Sequence, residues 1–331
     1  MLIDRRLLIG GGLASLALAG LPRPARARGP ASYPAPDREA MVPVPGGRVY
    51  VRVNGDLAGP RAPIVLIHGG PGGTHAAYLD ALALADERAV ILYDQLDSGR
   101  SERPMKPANW RVGRFVDEVA AIRAALGITR WHVLGHSWGG TIALEYGARG
   151  AAGLSSLILA SPLVSTANWL ADARVRLGEL PPAIAGEIAR CEPLPSPRPA
   201  TCEAATNAFY AAFNGRETDS DGMIAYYHDN AGPGFNATLY RAMWGDSEFV
   251  ATGSLRGYDG EPLLARLDGA RTLFVGGQYD EARPQTLAAF AARVAGAELA
   301  TIPGAAHGIF TDRPEETIAL LRGWLRRKDA A

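Results

Sequence analysis

The chain has 331 residues, 47% of them hydrophobic and 21% charged, which is ample for a large buried core. Its 34 basic residues match 34 acidic ones, so it carries no electrostatic footprint for nucleic acid.

The chain begins with Arg5-Arg6, an apolar, Gly-rich run over residues 7–21, and Ala25-Arg26-Ala27. Basic, apolar and small-x-small segments in that order are the pattern of a cleaved export signal. The paired arginines directly before Leu7-Leu8-Ile9 resemble a twin-arginine signal, which implies an exported, periplasmic protein. A spanning helix needs roughly 20 apolar residues. The run is shorter, so removal of residues 1–27 is expected to leave no stable membrane span. The remaining chain would carry 30 basic and 33 acidic residues.

From residue 41 to about 161, short apolar runs alternate with helical patterns. Residues 48–53 alternate polar and apolar, as a half-exposed strand does. Residues 63–67, 89–93, 131–134 and 157–160 are nearly continuous apolar runs, the habit of strands buried on both faces of a parallel sheet. Phe115, Val119, Ile122 and Leu126 recur at helical spacing, which predicts a helix over 114–126. The alternation returns near the end of the chain, with strands at 272–275 and 299–302 and helices at 284–294 and from Pro314 onward. Such alternation predicts an α/β protein with a doubly wound, mostly parallel sheet formed by residues 28–162 and 264–331.

Residues 163–263 break the rhythm. They lack buried-strand runs and carry helical patterns, prolines and many aromatics, among them Trp169, Phe209, Tyr240 and Trp244. They read as an inserted helical cap. Within the cap, Cys191 and Cys202 flank a Pro-rich loop. In an oxidising compartment two such neighbours are expected to pair rather than remain free thiols.

Three polar groups have the types and order that nucleophilic catalysis needs. Gly135-His136-Ser137-Trp138-Gly139-Gly140 lies between a strand run and a helical one. Small neighbours allow the sharp turn that exposes a serine, and the following helix supplies free N–H groups. A serine hydroxyl needs a base. His307 lies in a loop directly after the last strand run, on the carboxyl edge that Ser137 occupies. Asp280 follows the strand at 272–275 and would hold the histidine, with Glu281 its adjacent competitor. Ser137, Asp280, His307 is the chain order of the α/β-hydrolase fold. In His68-Gly69-Gly70-Pro71-Gly72-Gly73, after the strand at 63–67, the Gly70 N–H could complete an oxyanion hole with that of Trp138. This chemistry requires no metal and no organic cofactor.

Taken together, these motifs resemble the prolyl aminopeptidase (proline iminopeptidase) family of serine peptidases. His68 to Gly73 matches its H-G-G-P-G signature, Asp94-Gln95 with Gly99-Arg100-Ser101 its D-Q-x-x-x-G-R-S segment, and the Ser137 turn its G-x-S-W-G-G. Asp97-Ser98 stands where the family often has Gly-rich or aromatic residues. The resemblance implies hydrolysis of the amide bond after an N-terminal residue, with a small peptide or amino-acid amide as substrate. It also implies cap acids that hold the substrate's α-ammonium. The segment from Tyr240 to Phe249 resembles the part of the family that contributes one such glutamate, which puts that role on Glu248, with Glu217 as the candidate second acid. A broad carboxylesterase or lactonase on the same scaffold is the alternative activity. A hydrolase-fold protein that only binds its ligand is a remoter one.

Overall fold

The computed structural model describes residues 30–194, 198–230 and 232–330. The export signal expected at 1–27 lies outside them. Among the described residues eight strands are formed: β1 (Arg38–Val44), β2 (Gly47–Asn54), β3 (Ile64–Ile67), β4 (Val90–Tyr93), β5 (Trp131–His136), β6 (Leu154–Ala160), β7 (Thr272–Gly277) and β8 (Glu298–Ile302). They make one sheet in the order β1-β2-β4-β3-β5-β6-β7-β8. The pairs β1–β2 and β2–β4 are antiparallel, and the remaining pairs are parallel.

The apolar runs make buried strands because helices cover both faces. Val65 and Ile67 of β3 point to the face covered by α1 (Val112–Ala125) and α2 (Trp138–Ala148). Ile64 and Leu66 point to the opposite face, beneath a 3₁₀ segment at His75–Asp86 and the C-terminal helix (Pro314–Asp329). Two-residue alternation thus feeds two cores from one strand. All four residues are buried, and each contributes about 1.5–3 kcal/mol by leaving water.

Between β6 and β7 the chain forms α3 (Thr166–Gly178), α4 (Pro182–Cys191), α5 (Ala200–Phe213), α6 (Asp221–Asp229) and α7 (Ala237–Met243). This insert has its own small core of Ala173, Ile188, Ala205, Phe209, Phe213 and Phe249. Cys191 ends α4 and Cys202 lies in the first turn of α5, and the two are joined in a disulfide with Cα atoms 5.6 Å apart. On the other side, Tyr226 of α6 reaches the sheet domain. Its hydroxyl meets Arg52 Nη1 at 3.0 Å and His75 Nε2 at 2.8 Å, and His75 Nδ1 in turn meets Asp94 at 2.8 Å. After β7 come α8 (Pro284–Ala292), α9 (Ile309–Asp312) and α10 (Pro314–Asp329). No helix among the described residues is long and apolar enough to cross a membrane.

Two elements escape the sequence pattern. The strand β1 is mostly exposed, pairs only with β2 and contains Pro43, so it has no apolar run to announce it. An edge strand tolerates proline because one side of its backbone faces no neighbour. The 3₁₀ segment at His75–Asp86 buries Leu79, Leu82 and Leu84 without a helical stripe.

Candidate active site

Parallel pairing brings the ends of β3, β5, β7 and β8 to one edge of the sheet, and each candidate group sits just beyond one of them. Ser137 joins β5 to α2 with φ 58° and ψ −123°, a conformation that costs a non-glycine residue of order 1–3 kcal/mol. The turn is over-determined by its surroundings. The Ser137 N–H donates to the Ala160 carbonyl of β6 at 3.0 Å, and its carbonyl accepts from Gly140 and Leu163 at 2.8 and 3.1 Å. Only glycine fits at 139, where a Cβ would stand 2.1 Å from the Ile67 carbonyl oxygen.

Asp280 and His307 form the expected pair. His307 Nδ1 lies 2.8 Å from Asp280 Oδ1, which fixes Nδ1 as the donor and leaves Nε2 to accept a proton. Asp280 is fully buried and its carboxylate is saturated with donors: Ala282 N–H also meets Oδ1, while Ser161 Oγ and Gly277 N–H meet Oδ2. Burial disfavours its charge, but His307 beside it and these donors hold the carboxyl below its ordinary value. Arg176 of α3 donates twice to the Asp280 backbone carbonyl, at 2.9 and 2.8 Å. Desolvation opposes charge on His307 as well. The carboxylates of Asp280, Glu281 and Glu248 outweigh it and push the imidazole up to about 9.

The glycine loop after β3 comes to Ser137. A Cβ on Gly69 would stand 3.0 Å from Ser137 Cβ and 3.5 Å from its Oγ. Gly70 has φ +111°, and a Cβ there would lie 2.6 Å from the Gly73 nitrogen. The loop bends in a way only glycine allows. Trp138 is the first residue of α2, so its N–H belongs to the first turn, which has no intrahelical acceptor. Trp138 thus directly follows the serine, and Gly70 lies in the loop whose Gly69 approaches it.

A chain of side chains joins this loop to the base. Gly69 N–H donates to Tyr78 Oη, Tyr78 lies 2.9 Å from His136 Nδ1, and His136 Nε2 lies 2.8 Å from the His307 carbonyl oxygen. Since a carbonyl only accepts, Nε2 carries the proton and Nδ1 accepts from the tyrosine. Burial and then the nearby His307 push His136 down to about 3, so it stays neutral. Its ring centroid is 4.6 Å from that of His307. On the far side of the loop, Gln95 clamps His68 and Trp138. Its N–H donates to His68 Nε2 at 3.0 Å, and its side-chain oxygen accepts from the Trp138 indole at 2.8 Å.

Glu248 also arrives at the site. One of its oxygens accepts from the Tyr240 hydroxyl and the other from the Trp169 indole at 3.1 Å. The Trp169 ring packs edge-on against His307 with centroids 5.5 Å apart. Burial pushes the Glu248 carboxyl above its ordinary value. Glu217 is not brought there. It pairs with Arg313 at 3.3 Å and lines a cavity of about 950 Å³, none of whose lining residues is Ser137, Asp280, His307 or Glu248. No histidine lines this cavity, so its serines and threonines have no imidazole base there, and its size does not outweigh the chemistry gathered at Ser137. The competitor Glu281 does not hold Nδ1, which goes to Asp280. Its Oε1 lies 3.8 Å from His307 Nε2. Among the described residues, potential metal donors cluster only at Glu187, Cys191 and Cys202, where the disulfide uses both sulfurs.

Sequence reasoning missed Ser161, Tyr78, Arg176, Trp169 and Tyr240 as partners of these groups. Ser161 alone had a readable signal, since it ends the β6 run on the active edge.

The fold and this constellation are those of an α/β hydrolase, and the model of the alpha/beta hydrolase fold family matches residues 62–314. The chain is 35% identical over 288 residues to a proline iminopeptidase of Heyndrickxia coagulans, covering 87% of this chain and 98% of that one. Among solved structures, the proline iminopeptidase of Mycobacterium smegmatis superposes with a TM-score of 0.77 at 30% identity, over 88% of this chain and 99% of the other. A protein named VinJ superposes with a TM-score of 0.79 at 29% identity, over the same shares. The chain belongs to the proline iminopeptidase family and is a hydrolase.

Proposed function

We propose that this protein is an aminopeptidase that releases the N-terminal residue of a small peptide, or hydrolyses an amino-acid amide, through an acyl-enzyme on Ser137. The observation that carries this reading is the half-buried carboxylate of Glu248, set against the Trp169 ring that packs on His307. A carboxylate taken out of water beside the chemistry is costly unless it meets a cation, and a free α-ammonium is that cation. An amine fixed at that point presents the first amide bond to the serine.

In the proposed cycle, Ser137 Oγ attacks the carbonyl carbon while its proton passes to His307 Nε2. The Gly70 and Trp138 N–H groups stabilise the oxyanion, each worth about 2.7–4 kcal/mol by analogy with measured oxyanion donors. The C–N bond then breaks as His307 returns the proton to the departing amine. Water attacks the resulting ester and gives its proton to His307, which passes it to the Ser137 oxygen as the ester bond breaks, releasing the residue as its acid. Asp280 keeps the imidazole in the productive tautomer and stabilises it when charged.

A panel of aminoacyl anilides and amides, each with free and N-acetylated amine, tests the reading. The expected result is a strong preference for the free amine. Equal turnover of blocked substrates and simple esters would replace it with a broad carboxylesterase.

We also infer that the protein is exported. The Arg5-Arg6 leader and the Cys191–Cys202 disulfide, which belongs in an oxidising compartment, support this. N-terminal sequencing of the mature protein is expected to begin at Arg28. A retained leader in a reduced, cytoplasmic protein would refute it.

A further inference from the structure

Two side chains that take no part in the proposed cycle stand between the parts that do. Tyr78, in the 3₁₀ segment at His75–Asp86, and His136, at the end of β5, are both buried. Tyr78 packs edge-on against His136, with centroids 5.7 Å apart, and against Phe310 of α9 at 5.4 Å. Packing alone would suit a phenylalanine and a leucine there. It does not account for the polar atoms.

Those atoms form a series in which every donor points the same way. The Gly69 N–H donates to Tyr78 Oη at 3.1 Å, Tyr78 donates to His136 Nδ1 at 2.9 Å, and His136 Nε2 donates to the His307 carbonyl at 2.8 Å. The carbonyl only accepts, which fixes the tautomer. Burial pushes the Tyr78 phenol above its ordinary value, so it stays a donor. Burial and the nearby His307 push His136 down to about 3, so it stays neutral. Hydrogen bonds aligned in series polarise one another and hold their ends together.

The ends of this series are the parts that must stay in register with Ser137. At one end, Gly69 precedes Gly70, whose N–H is the oxyanion candidate, and a Cβ on Gly69 would stand 3.5 Å from Ser137 Oγ. At the other end is the backbone of the base. The His307 N–H donates to Phe213 of α5, and its carbonyl also accepts from Ile309 within the same turn. His136 ties that turn to β5 and, as the residue before Ser137, to the nucleophile.

We propose that Tyr78 and His136 are positioning residues for acyl transfer: the relay from Gly69 through Tyr78 and His136 to His307 holds oxyanion donor, nucleophile and base as one unit. This rests on the acyl-enzyme reading of Ser137 and holds whichever substrate the enzyme prefers. A misplacement of about 1 Å in such a constellation can cost on the order of 100-fold in rate. A tie that touches no substrate therefore governs turnover, and its loss appears in kcat and in the reactivity of Ser137 rather than in KM.

The test reads the rate at which a fluorophosphonate labels Ser137, a reaction that needs nucleophile, base and oxyanion donors but no recognition of an amine or a peptide. Thermal unfolding checks that each variant is folded. Tyr78→Phe keeps the ring and removes one oxygen. It is expected to slow both labelling and kcat on a prolyl anilide about fivefold or more, with KM within about threefold. His136→Leu should slow both by about twentyfold or more, whereas His136→Gln, which places an amide N–H near the position of Nε2, should stay within about fivefold of wild type. Adding Tyr78→Phe to His136→Leu should cost less than about twofold more, because the relay is already cut. Folded variants that label at the wild-type rate would overturn the proposal. So would His136→Gln no faster than His136→Leu, multiplicative losses in the double variant, or a loss confined to KM. If His136→Leu does not fold, Tyr78→Phe and His136→Gln decide the matter by the same limits. Turnover retained by Ser137→Ala would instead remove the acyl-enzyme reading, and the role of the relay with it.

Discussion

The sheet domain and the helical insert supply the site by different means. Ser137, Asp280, His307 and Gly70 stand at strand ends, and their positions follow from the backbone: register, tight turns and N–H groups aimed at a carboxylate. Glu248 stands on a loop after α7, and the side chains of Tyr240 and Trp169 hold its carboxylate. Backbone placement is insensitive to most substitutions, whereas side-chain placement changes with every neighbour. On the proposed function, the difference separates a fixed acyl-transfer engine from an adjustable selector of what it receives.

Breaking the engine should give the largest effect. Ser137→Ala is expected to lower kcat on an aminoacyl anilide by about 10⁵–10⁶, and a variant within tenfold of wild type would end the assignment of the nucleophile. Disabling the selector should cost less and cost it selectively. Glu248→Gln removes a charge-assisted contact of about 1.5–3 kcal/mol, so KM for free-amine substrates should rise roughly 10- to 100-fold, with a much smaller change for N-acetylated ones. Matching changes on both would move Glu248 out of amine recognition. The smallest effect on activity should come from the covalent tie within the insert. Replacing Cys191 and Cys202 by serine is expected to lower stability by about 3 kcal/mol on the chain-entropy model, with activity at 25 °C retained within a few-fold. Denaturant unfolding with an unchanged midpoint would contradict this.

The same division explains what the sequence could reveal. Buried strands such as 64–67 are readable because both faces demand apolar residues, and Ser137 and Asp280 are readable because each follows such a run. His307 follows the mostly exposed edge strand β8 and is legible through its place in the chain order. β1 is illegible because its exposed edge demands nothing of the kind. Glu248 could be found only through family resemblance. The same route suggested Glu217, which the structure pairs with Arg313 instead. Glu281 was weighed only as a rival to Asp280, since its relation to Asn214 and Glu248 arises from packing between segments remote in the chain. Tyr78, Arg176 and Trp169 have no local signature for the same reason.

The end of α5 has a mechanical consequence. One carbonyl oxygen, that of Phe213, accepts the N–H groups of both Glu281 and His307 at 3.1 Å, and the next carbonyl accepts from Gly308 at 2.7 Å. At its other end, α5 is bolted by sulfur to α4. The helix is a strut between the disulfide and the loops that carry Glu281 and His307, and swinging it would break the bonds that hold His307. On the proposed function, a motion of the insert that admits substrate is expected to hinge away from this end of α5.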